Sequence, residues 1–226
     1  MDRRRFLFNA VPTAVAAAAA ATPMHLASGA DVLPGYTPTF FSAAEWAFIV
    51  AAVDRLIPAG GEGPGGVETG VAEFIDRQME LPYGHGSYWY LKGPFADSAP
   101  ETLGYQLPFA PRDLYRNGIR EVNAGCSKTH GKPFAEVSAE QQDAVLSALE
   151  AGKFEMPQIP PRAFFEQLLT NMREGYFADP QYGGNRGMAA WKWIGFPGAR
   201  ADFTDWIDQA GKTYPFGPVS IAGRSA

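Results

Sequence analysis

The chain of 226 residues carries a net charge of −5, and Arg3, Arg4 and Arg5 at its start leave the remainder more acidic still, with no basic stripe after residue 30. Nucleic acid and anionic lipid are therefore poor candidates for its main partner. With 46% hydrophobic residues it can bury a core, while 25 Gly and 19 Pro predict long ordered loops. Cys126, the only cysteine, excludes an intrachain disulfide, a Cys-x-x-Cys-His haem attachment and a thiolate zinc or iron–sulfur site.

In chain order, the first element is an export signal over residues 1–30. Arg3 and Arg4, then one residue, then Phe6 and Leu7, follow the order of a twin-arginine signal, whose receptor is the twin-arginine translocase. No Lys, Arg, Asp or Glu stands between Phe6 and Ala30, and residues 14–21 are nearly all alanine. A membrane anchor is the competing reading, but Pro12, Pro23 and His25 interrupt the run and alanine is weakly apolar. Cleavage is expected after Ala21, Ala27 or Ala30, with the region 27–30 favoured. Residues 31–226 then form the mature helical domain.

Ser42 and Glu45 predict a capping box and a helix that buries Trp46, Ile49, Val50, Val53, Leu56 and Ile57, ending at Pro58. After a Gly-rich turn, Val71, Phe74, Ile75 and Met79 mark a second helix, closed by Pro82. Residues 83–110, rich in Gly, Pro, Tyr and Trp, have no period and read as a functional or partner-wrapping loop. A third helix is predicted from Pro111 to about Asn123. Ser138 and Gln141 make a second capping box, with Gly152 as the left-handed terminus. A helix from about Arg162 places Phe165, Leu168, Leu169, Met172 and Tyr176 inward, and short helices follow over 187–193 and 201–210. No alternating strands and no repeat appear. The fold class is all-α, an irregular helical domain with long Gly/Pro/aromatic loops.

Candidate chemistry is sparse. Gly61-x-Gly63-x-x-Gly66 follows a helix, not a strand, and Pro64 removes an amide, so it reads as a helix-to-helix turn and not as a dinucleotide loop. His85 is a conceivable general base without a companion at ligand spacing. The acid pairs Glu45 with Asp54 and Asp76 with Glu80 read as solvated helix faces. Lys128 stands near Cys126 and could lower its pKa, though a buried thiol is the favoured reading. The sharpest local feature is Gly183-Gly184-Asn185, read as consecutive positive-φ positions. Tyr182, Gly183, Gly184, Asn185, Arg186 and Trp191 form a candidate partner contact, since Trp, Tyr and Arg anchor interfaces. The same residues also fit a tight turn locked by aromatic packing. Trp191 and Trp193 flank one residue and cannot share a helix face.

Several segments together carry a family resemblance. These are Leu56-Ile57-Pro58-Ala59 with Gly63-Pro64-Gly65-Gly66, residues 71–76, Gly104-Tyr105-Gln106-Leu107-Pro108, and Phe134-Ala135 leading to Gln141-Gln142-Asp143. The most specific is the run of residues 175–185, with Asp179-Pro180-Gln181-Tyr182-Gly183-Gly184-Asn185 at its centre, continuing through Trp191 to residues 194–199. Over most of residues 42–200 the chain resembles the gluconate 2-dehydrogenase subunit 3 (gamma chain, small subunit) family. It departs at Gly60-Gly61, where the family usually shows an acidic residue after Pro-Ala. The resemblance implies a periplasmic, membrane-associated complex. In it a large flavoprotein holds FAD and oxidises a sugar acid, and a membrane-anchored multihaem cytochrome c takes the electrons through haem c. The small subunit carries the export signal and assists maturation. No cofactor, metal or catalytic residue is implied for this chain. Two other classes stay open: an autonomous periplasmic hydrolase or lyase using His85 or acids of the aromatic loop, and a periplasmic sugar-binding module.

Overall fold

The computed structural model describes residues 35–96 and 99–223, so the export-signal residues Arg3, Arg4, Phe6 and Leu7 lie outside the described part. Among the described residues the α-helices are α1 (Ala43–Leu56), α2 (Val71–Glu80), α3 (Pro111–His130), α4 (Ala139–Glu150), α5 (Pro161–Tyr176) and α6 (Ala189–Ile194), with short 3₁₀ turns between them. No strand occurs among them, only one isolated bridge between Gly198 and Val219. The all-α reading is correct.

Both capping boxes form. The Ser42 amide donates to Glu45 Oε2 at 2.8 Å, and the Ser138 amide donates to Gln141 Oε1 at 3.0 Å. Each reciprocal cap satisfies amides that the first helical turn leaves free, worth about 1 kcal/mol. Pro111 and Pro161 open α3 and α5 at the first helical position, where a missing amide costs nothing. Gly152 takes φ +70° just past α4, the left-handed terminus expected there.

Helix α5 is the central element, packed on α2, α3 and α4, and α1 crosses the same three-helix set. Phe48, Tyr115, Phe134 and Phe164 are fully buried where they meet. The Phe48 ring lies 4.7 Å from Phe134 and 6.0 Å from Phe164. Gly118 lets α3 approach α5 closely, since a Cβ there would fall 2.3 Å from the Phe164 ring.

Three expectations need correction. Helix α3 runs on to His130, well past Asn123. Local propensity fades over Asn123-Ala124-Gly125, but tertiary contacts override it: Cys126 is buried and the Phe134 amide donates to Asn123 Oδ1 at 3.0 Å. The segment 201–210 holds only a 3₁₀ turn, Thr204–Trp206. Asp76 is not on a solvated face. It is fully buried and accepts hydrogen bonds from the Tyr36 hydroxyl, the Thr39 amide and hydroxyl, and the Phe40 and Phe41 amides. The strap of residues 36–41 thus closes over α2 through one carboxylate.

Candidate functional site

The Gly-Gly-Asn segment is a junction between helices. Gly183 has φ +102° and Asn185 φ +45°, the two left-handed positions. Gly184 is different. It needs no positive φ, but a Cβ there would sit 2.0 Å from the Gly175 carbonyl oxygen at the end of α5. The expectation of consecutive positive-φ residues is therefore corrected at Gly184, which is glycine because of close backbone approach.

Asn185 is fully buried; its Nδ2 donates to the Ala178 carbonyl at 3.0 Å and its Oδ1 accepts from the Ala190 amide at 2.9 Å. One side chain so fixes the end of α5 to the start of α6. The Arg186 amide donates to the Thr69 carbonyl at 3.0 Å, and its guanidinium pairs with Glu73 of α2. Arg77 pairs with the other oxygen of Glu73, so this buried carboxylate is held between two cations. Such pairing compensates the loss of solvation that would otherwise oppose burying the charge.

Trp191 is buried, its indole N–H donating to the Phe177 carbonyl at 2.9 Å, while Trp193 is half exposed. The incompatible facing of the two indoles is resolved with Trp191 inside. Gly183, Gly184 and Asn185 are likewise buried and Arg186 half-buried, so Tyr182 is the exposed aromatic of the six candidate contact residues. Asp179, in the same run, caps the turn it starts: the Gln181 amide donates to its Oδ1 at 3.1 Å, and the Ile221 amide donates to its Oδ2 at 2.6 Å. The C-terminal stretch is thereby tied to the junction.

Beside this junction lies an open groove of about 550 Å³, walled by Tyr83 and Tyr88 of the long loop and by Phe177 and Tyr182, with Gln78 and Glu174 at its polar edge. It joins the two segments that the sequence singled out. A buried network supports it from below. Tyr83 Oη accepts from Gln167 Nε2 at 2.7 Å and from Asn171 Nδ2 at 2.8 Å. Asn171 Nδ2 also donates to Glu174 Oε2 at 2.8 Å, and Asn171 Oδ1 accepts from the Tyr115 hydroxyl at 3.1 Å. Burial pushes the Tyr83 hydroxyl above the usual phenol range, opposed by the hydrogen bonds from Asn171 and Gln167, so it remains a neutral phenol. Gln167, Asn171 and Glu174 were missed in the sequence, although their spacing along α5 is a polar stripe on a helix otherwise read for its apolar face. A second shallow pocket of about 410 Å³ is lined by Trp89, Tyr90, Lys92, Phe95 and Tyr105, with the Trp89 and Tyr105 rings 4.6 Å apart.

The remaining candidates take ordinary places. Gly61 to Gly66 forms a turn after α1, where the Gly65 amide donates to Glu68 Oε1 at 2.8 Å, and a carboxylate already occupies the position a phosphate would need. His85 is exposed and faces the Arg112 guanidinium, with Nη1 3.0 Å from its Nδ1 and 2.6 Å from its Nε2. A base needs an orienting acceptor, and a guanidinium cannot provide one. Cys126 is buried and burial pushes its thiol up to about 11. Lys128 does not activate it; its ammonium lies 3.6 Å from Glu155 on the surface. Among the described residues no three His, Cys, Asp or Glu side chains gather as a metal site, and no helix is long and apolar enough to cross a membrane.

Comparison with curated proteins and with solved structures gave no match. A family model, gluconate 2-dehydrogenase subunit 3, matches residues 43–198, from the first residue of α1 to just beyond α6. That span includes the Ser138–Gln141 capping box, the buried carboxylates of α2 and the whole Gly-Gly-Asn junction, so the chain belongs to the gluconate 2-dehydrogenase subunit 3 family.

Proposed function

We propose that this chain is the non-catalytic small subunit of a membrane-associated periplasmic sugar-acid dehydrogenase. A larger FAD-bearing subunit carries the oxidation, a multihaem cytochrome c receives the electrons, and this chain assists export and maturation of the flavoprotein. The observation that carries the reading is the set of large aromatic and aliphatic side chains that a well-packed helical body leaves in water. Tyr90 is 83% exposed and Ile207 73% exposed, in company with Tyr88, Phe216 and Ile221. A chain that has buried Phe48, Phe134 and Phe164 completely has no folding reason to leave so many large apolar groups in water, and such surfaces mark contacts with other chains. The Arg3-Arg4-x-Phe6-Leu7 order supports export in the folded state, the route by which one signal can carry a bound partner.

Exchanging Arg3 and Arg4 together for Lys keeps the charge and removes the guanidinium pair. Both this chain and the flavoprotein are then expected in the cytoplasm on cell fractionation. Normal accumulation of the double variant in the periplasm would contradict twin-arginine export.

A further inference from the structure

We infer that the groove between the long aromatic loop and the Gly-Gly-Asn junction receives a basic side chain, a guanidinium or ammonium, presented by the flavoprotein partner; this rests on the subunit reading above. The groove's walls are the rings of Tyr83, Tyr88, Phe177 and Tyr182, and its charged groups are the carboxylates of Glu174 and Asp179, the latter already accepting from the Gln181 and Ile221 amides. No Lys or Arg lines it, and Arg173, the neighbour of Glu174 on α5, is not part of it. Ring faces attract cations through their quadrupole, and a carboxylate at the edge adds direct charge complementarity. A sugar acid entering here meets a carboxylate and no cation. A purely apolar anchor would strip water from Glu174 and offer it nothing in return.

The site is also preorganised. Asn171 Nδ2 donates to both Tyr83 Oη and Glu174 Oε2, each at 2.8 Å, so one buried amide fixes the ring and the carboxylate relative to each other. Asn171 is itself fully buried and held by Gln167 and Tyr115. Holding the receiving groups in place reduces the ordering cost of binding. Three of the chain's own cations are engaged elsewhere: Arg77 and Arg186 by Glu73, and Arg112 against His85. At about 550 Å³ the groove is larger than one side chain needs, so the segment that bears the charge enters with it.

The test has two arms on the purified full chain. In the first, its aromatic fluorescence is titrated with N-acetyl-arginine amide, with N-acetyl-norleucine amide as the uncharged control, and with gluconate as the anion. The arginine probe is expected to saturate and the other two are not. Glu174→Gln, whose carboxamide oxygen still accepts from Asn171, and Tyr182→Ala should each weaken it roughly tenfold at an unchanged melting temperature. In the second arm the tagged chain is co-expressed with the flavoprotein, and Glu174→Gln should release that partner at lower salt. Arginine binding no tighter than norleucine, a saturable gluconate response, or equal retention of the flavoprotein by variant and unaltered chain would overturn the inference. If the unaltered chain retains no flavoprotein, the subunit reading fails instead, and the arginine titration still decides whether the groove takes a cation.

Discussion

Gly184→Val is expected to leave little folded chain. The new Cβ would lie 2.0 Å from the Gly175 carbonyl oxygen and 2.8 Å from its carbon, both backbone atoms at the end of a buried helix. A flexible side chain could swing away from such a clash; the backbone here is tied to the junction by the Asn185–Ala178 and Trp191–Phe177 hydrogen bonds just past the end of α5. Overpacking costs roughly 1–3 kcal/mol where side chains yield, and more where they do not. Against a domain stability of roughly 5–15 kcal/mol, a loss above about 4 kcal/mol takes most of the margin at the lower end of that range, and larger losses from a backbone clash exhaust it. Gly187→Ala is the control. Gly187 has φ +62° but open space around it, so the cost should be only about 1–2 kcal/mol, from backbone strain alone. Soluble yield and thermal melting of the two variants check the contrast. Equal stability of both would show that the close approach to Gly175 is not what requires glycine.

Asp76→Ala should be nearly as damaging, by an electrostatic route. Oδ2 accepts from the Tyr36 hydroxyl at 2.6 Å and the Thr39 amide at 2.7 Å, while Oδ1 accepts from the Phe40 and Phe41 amides at 3.1 and 2.9 Å. Truncation leaves these amides without acceptors beneath the strap, each at roughly 1–3 kcal/mol. The strap carries Phe40 and Phe41 into the core and sets Ser42 where α1 begins. The expected loss is on the order of 3–5 kcal/mol, a fall in melting temperature of about 10 °C for a chain of this size. Proteases should also gain access to the strap ahead of Ser42. A variant that melts with the unaltered chain and resists cleavage there would mean that the strap is not held by this carboxylate.

The helices were legible because their signals are local. Ser42 with Glu45, and Ser138 with Gln141, announce their ends within four residues, and Val71, Phe74, Ile75 and Met79 display a period that needs no knowledge of the rest of the chain. Asp76 was not legible. On α2 alone it looks like the polar side of an amphipathic helix, and what covers it is a strap from residues 36–41, far upstream. The Gly-Gly-Asn run announces an unusual backbone, but composition cannot separate a glycine needed for φ from one needed for space. Gly183 is the first kind and Gly184 the second. The two-residue spacing of Trp191 and Trp193 said that they face differently; only the Phe177 carbonyl, reached across the end of α5, selects Trp191 as the inner one. The groove escaped notice for the same reason as Asp76, since its walls come from residues 83–88 and 177–182, which only the folding of α5 onto α2 brings together.

The central claim is that this chain serves the flavoprotein, and deletion of its coding region tests that most directly. The measurement is sugar-acid oxidation by the membrane fraction, with the flavoprotein followed by immunoblot in cytoplasm and periplasm. The account predicts near-background activity at the membrane and flavoprotein stranded in the cytoplasm, both restored by the unaltered chain supplied in trans but not by its Arg3→Lys, Arg4→Lys form. Undiminished periplasmic activity in the deletion strain would contradict it.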